Sequence, residues 1–115
     1  MTYDETAAVT ALGVAPTDGT DGHGIERIFT IRQRGIRLRL AVHQYDSDAI
    51  VEVFRDPGEE CLFRAQVKRF STFELREDSP GAEFLEISRS MGDGVQRVQI
   101  WGRPEVRVIV QHEIG

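Results

Sequence analysis

The stretch Ile36-Arg37-Leu38-Arg39-Leu40-Ala41-Val42-His43 puts Ile36, Leu38, Leu40 and Val42 on one face of an extended chain and Arg37 and Arg39 on the other. Apolar residues recur with the same period of two around Arg107 (Val106, Val108, Val110), around Arg64 and Gln66 (Cys61, Phe63, Ala65, Val67) and around Glu52 (Val51, Val53). Further strands are expected over 25–32, 70–76, 83–89 and 96–101. Breaks in the alternation at Ile28-Phe29 and Ser71-Thr72 suggest bulges. From residue 25 on, no apolar pattern sustains a helical period for three turns, so the body is expected to be all-β.

The punctuation between these runs decides their pairing. Gln33-Arg34-Gly35, Asp56-Pro57-Gly58-Glu59 and Gly102-Arg103-Pro104 are turn sequences, as are the segments 44–47, 77–81 and 90–94. Parallel neighbours need a connection of about a dozen residues or more, so links this short imply consecutive antiparallel hairpins. The expected domain, 25–115, is therefore an up-and-down arrangement of about eight short strands, closed as a small barrel or folded as a two-layer β-sandwich. A chain of 115 residues suffices for one such core without a staple, and its single cysteine, Cys61, excludes an internal disulfide. Cys61 is expected in the core beside Phe63 and Val67.

Residues 1–24 differ in kind. They contain Asp4, Glu5, Asp18 and Asp21, no Lys or Arg, and a glycine-rich end, which reads as a flexible acidic arm. Its apolar middle, 8–14, is the alternative, an extra edge strand. Setting those four acids aside from the 19 in the chain leaves 15 acidic side chains against 14 basic ones in the body. The net charge of −5 thus belongs mostly to the arm and gives no general case for nucleic acid. No basic leader precedes the short apolar stretch 7–15, and no apolar run is long enough for a membrane span, so a cytoplasmic protein without membrane contact is expected.

Hairpin wiring collects particular side chains. The ends of even strands and starts of odd ones share a rim, where His23, His43 and His112 fall with Tyr45, Asp46, Asp48 and Asp93. Imidazoles and carboxylates together are the donor set for a divalent ion or a small polar ligand. The spacing itself carries no metal motif, and turn aspartates also serve backbone hydrogen bonds.

A second group, Arg27, Arg32, Arg34, Arg37 and Arg39, is opposed within 26–40 only by Glu26, and is a candidate anion-binding patch. Cross-strand pairing with Glu52, Glu74 or Glu86, or with the acidic arm, competes for the same guanidiniums. No nucleophile-and-base motif or phosphate-binding glycine loop occurs, so neither catalysis nor a cofactor is expected.

Edges remain. The last strand has one charge, Arg107, among Val106, Val108 and Val110, and is weakly guarded against pairing with another chain. With an exposed Trp101 beside it, that strand is the expected contact surface of a non-catalytic protein-binding or assembly module that associates with itself or a partner protein. The alternative is a small ligand or metal ion at the histidine rim.

Overall fold

The computed structural model of the chain describes residues 3–19 and 25–114. Strands β1 (Thr17–Asp18), β2 (Glu26–Gln33), β3 (Ile36–His43), β4 (Asp48–Arg55) and β5 (Cys61–Val67) form one sheet in that order. Strands β6 (Thr72–Glu77), β7 (Glu83–Met91), β8 (Gly94–Trp101) and β9 (Arg107–Ile114) form a second. Every neighbour is antiparallel and follows in sequence order, so the all-β, up-and-down expectation holds.

The sheets do not close into a barrel. The chain leaves the first sheet at a pinned corner after β5: Arg69 takes a left-handed φ of 51° and its N–H bonds Asp48 Oδ1 at 3.0 Å. The Phe70 N–H then bonds the Ser47 carbonyl at 2.7 Å, and that of Ser71 bonds the Ser88 carbonyl at 2.8 Å. These bonds hand β6 to β7 instead of β5, giving the two-layer option. Among the described residues, the register of the first sheet shifts only at Val53/Phe54, while β2 runs in continuous register with β3 through Ile28 and Phe29, so no bulge forms at that pair.

The N-terminal region departs most from expectation. Over Glu5–Leu12 it is a helix, α1, neither a mobile arm nor a strand. Asp4 caps it by accepting from the Ala7 N–H at 3.1 Å, and Gly13 ends it with φ 75°. Ala7, Ala8, Ala11 and Leu12, on one helical face, enter the core. The extra edge strand is β1, further along, where Thr17 and Asp18 pair with Ile28 and Arg27. The glycine-rich remainder, with Asp21 and His23, lies outside the described residues.

The two sheets meet over Phe29, Leu38, Leu40, Val42 and Val51 from the first and Phe73, Leu85, Ile87, Val98 and Ile100 from the second, all buried. Helix α1 packs on β6, β7 and β8 and reaches β2 through the Arg27–Glu5 ion pair at 3.0 Å, which fills one open side of the sandwich. Its approach to β8 requires glycine at 102: a Cβ there would lie 2.7 Å from the Leu12 carbonyl oxygen.

Candidate protein-binding surface

The described members of the histidine rim hold ordinary turn and strand positions. His43 ends β3 opposite Asp48, and its Nδ1 lies 3.2 Å from Asp46 Oδ2 without hydrogen-bond geometry. Asp48 is occupied with the Arg69 backbone, and Tyr45 is 75% exposed. His112 sits on β9 opposite Gln96, and Asp93 lies in the β7–β8 turn, both exposed. Gln96 donates to the Gln66 carbonyl at 2.9 Å, which joins the start of β8 to the end of β5. Among the described residues no three His, Cys, Asp or Glu side chains gather closely enough to hold a metal ion.

The basic hairpin is neutralised from within. Arg27 pairs with Glu5 and Asp18, Arg32 with Asp56 at 3.8 Å, Arg34 with Glu105 at 2.6 Å, Arg37 with Glu59 at 3.1 Å and Arg39 with Glu52 at 3.0 Å. Arg37 also lies over the ring of Phe54, 4.7 Å from its centroid. The Glu5 carboxylate that holds Arg27 accepts a hydrogen bond from the Tyr3 hydroxyl at 3.0 Å. Burial, with that hydrogen bond, pushes the tyrosine's pKa well above its usual value, while the bond to Glu5 raises that of Arg27.

Around the end of β8 the expected contact residues do come together, in a different form. Trp101 is 6% exposed, not a surface aromatic, because Phe84 stacks on its ring at 4.5 Å and the Arg107 guanidinium lies 3.9 Å from its centroid. A cleft of about 370 Å³ opens beside it, lined among others by Asp78, Trp101, Arg103, Val106 and Arg107. Arg107 approaches Asp78 at 3.5 Å, and Arg103 donates to the Thr10 carbonyl at 2.8 Å. The indole Nε1 is buried with no hydrogen-bond partner among the described residues. The Val106 N–H bonds Gln33 Oε1 at 2.7 Å, and β9 begins at the next residue, Arg107, and runs to Ile114, beyond the last valine of the alternation.

Beyond that cleft, β5 and β9 are each an edge strand of their sheet, with one edge unpaired among the described residues. Phe63 stands opposite Val53 with the parity of buried Val51, and Val110 stands opposite buried Val98, so both belong to the inward faces. They are nevertheless 38% and 43% exposed, which marks places where the opposite sheet does not cover them. Val108 packs against the core, whereas Ile114 at the end of β9 is exposed. Cys61, expected inside, is exposed with Leu62 at the start of β5, beyond the register shift. Sequence alternation located β5 but not its exposure, which depends on how far the second sheet extends over it.

An antiparallel two-sheet sandwich, wired up-and-down within each sheet, with one helix along one side and apolar strand edges left free, is the class these observations define. No family model matches the chain, and no curated protein does. Among solved structures it is similar to a chain of a contact-dependent growth inhibition toxin–immunity protein complex from Klebsiella pneumoniae 342. That likeness has a TM-score of 0.80 at 14% identity and covers 97% of this chain and 96% of that one, and it shows a shared fold.

Proposed function

We propose that this chain is a non-catalytic protein-binding module that holds a partner polypeptide, as the immunity member of a toxin–immunity pair does. The observation that carries the reading is the pair of uncovered strands, β5 and β9, whose inward-facing Phe63 and Val110 reach solvent. The near-complete fold match to a chain from a two-protein complex supports it. The immunity side is favoured over the toxin side because the nearest approach to an acid–base set, His43, Tyr45 and Asp46, stands on an open turn instead of inside a pocket.

Val106, Arg107, Val108 and Val110 form the proposed contact region, with Trp101 buried beneath Arg107, and Phe63 extends it to the other sheet. The free β9 edge also offers self-association. The same reading places the protein in the cytoplasm; among the described residues no helix is long and apolar enough to cross a membrane.

Co-expression with the polypeptide encoded next to this chain on its chromosome tests the proposal. Expected are a single co-eluting complex and, where that polypeptide arrests growth, growth restored by this chain. Separate elution, with arrest unchanged, overturns it.

A further inference from the structure

The outward face of the second sheet carries a diagonal ladder of charges. Arg76 on β6 meets Glu86 on β7 at 3.3 Å, Glu86 meets Arg97 on β8 at 3.4 Å, and Arg97 meets Glu113 on β9 at 2.7 Å. The signs alternate across the four strands, and the series ends on a carboxylate because β9 is the last strand. Beyond it the edge of Arg107–Ile114 has no strand neighbour among the described residues, so the backbone groups that point that way are left for another chain.

A two-fold axis brings a strand against its own copy, so each residue meets one equally far on the other side of the axis. With the axis at Val110, Arg107 faces Glu113 of the second copy, Val108 faces His112, Ile109 faces Gln111, and Val110 faces itself. This register keeps inward residues against inward ones. It also matches the strand's only Arg and only Glu with each other, and Arg107 supplies the next positive rung beyond Glu113.

Strands β5 and β6 fit a copy of themselves less well. Strand β5 has Arg64 as its single charge and no acid to meet it. On β6, Glu74 and Arg76 already pair with each other at 2.7 Å, and an axis at Leu75 would set Phe73 against Glu77.

We propose that β9 pairs antiparallel with β9 of a second copy about a two-fold axis at Val110, joining the two four-stranded sheets into one continuous sheet. This deepens the reading of β9 as a contact edge and rests on it. Residues at the axis lie within disulfide reach of their own copies, whereas Ile109 is separated from Ile109 of the second copy by a diagonal.

The test uses the full chain carrying Cys61→Ala to remove the native thiol. Val110→Cys in that background is expected to cross-link to a dimer under mild oxidation, and Ile109→Cys is not. Arg107→Glu and Glu113→Arg are each expected to weaken the dimer by roughly tenfold or more in sedimentation equilibrium, with the double swap recovering affinity. The swap leaves the intrachain contacts with Asp78 and Arg97 broken, so recovery reports the crossing pairs; circular dichroism confirms that each variant is folded. A monomeric mass up to millimolar concentration, equal cross-linking at 109 and 110, or no recovery in the double swap overturns the proposal. A chain that restores growth yet stays monomeric retains the proposed function and loses only the dimer.

Discussion

Tyr3 fastens the helix to the sheets with one ring and one hydroxyl: the ring packs edge-on against Phe73 at 5.0 Å, and the hydroxyl donates to the Glu5 carboxylate that also holds Arg27. Because its pKa is raised in the folded state, the native protein keeps a proton that the unfolded chain gives up above about pH 10. The associated stability is fully present below that pH and is lost as pH climbs toward the raised native value. The wild-type melting temperature is therefore expected to fall more steeply between about pH 9 and 11 than that of Tyr3→Phe; parallel slopes would contradict this. Glu86 joins three strands of the second sheet. Its side chain is 12% exposed, and it accepts from Gln99 at 3.0 Å while flanked by Arg76 and Arg97. Glu86→Ala is expected to cost about 1–3 kcal/mol in urea unfolding, and Glu86→Gln less, since an oxygen remains to accept from Gln99. Of these partnerships the sequence offers only the pairing of the acidic N-terminal stretch with an arginine of the first hairpin, as Glu5 pairs with Arg27. Alternation places Glu86 on the outward face, but Phe84, Glu86 and Ser88 on that face of β7 are buried because β7 lies between β6 and β8.

Among the elements, the strands were legible and the helix was not. Ile36–His43 announces itself because a period of two sustained over eight residues suits an extended chain and would scatter its apolar side chains around a helix. Its neighbours follow from short turns. Helix α1 has barely two turns, too few for a period of 3.6 to stand out, and its Val9 and Thr10 suit a strand as well. A signal was nevertheless present: Asp4 as cap, Glu5 in the first turn and Gly13 after the last helical residue. What selects the helix is tertiary, since its small face of Ala7, Ala8 and Ala11 fills the gap between the sheets and Gly102 lets β8 come against Leu12. Gly102→Ala is expected to force that contact apart and lower stability by about 1–3 kcal/mol, read from the denaturation midpoint. An unchanged midpoint would mean that the helix is not held by β8.

At the scale of the whole molecule, the helix makes the two sides of the sandwich unequal. Helix α1 packs on β6, β7 and β8, whereas β5 and β9 are edge strands, unpaired on one edge among the described residues, with apolar residues that the sheets do not cover. The β9 half of that surface was legible, because a strand with a single internal charge is poorly guarded whatever the fold around it. The β5 half was not, because Phe63 carries the alternation of a core residue and only the extent of the second sheet exposes it. This difference separates stability from binding. A core phenylalanine such as Phe29, fully buried, is expected to cost about 3–5 kcal/mol when cut to alanine. Phe63, already 38% exposed, loses less native contact, so Phe63→Ser is expected to cost under about 1.5 kcal/mol in unfolding while weakening the proposed partner complex roughly tenfold or more. Measuring both on the same variant decides between them. A large loss of stability with affinity intact would make Phe63 part of the core, whereas affinity lost from a chain that still folds makes the uncovered strands the contact surface for the proposed partner.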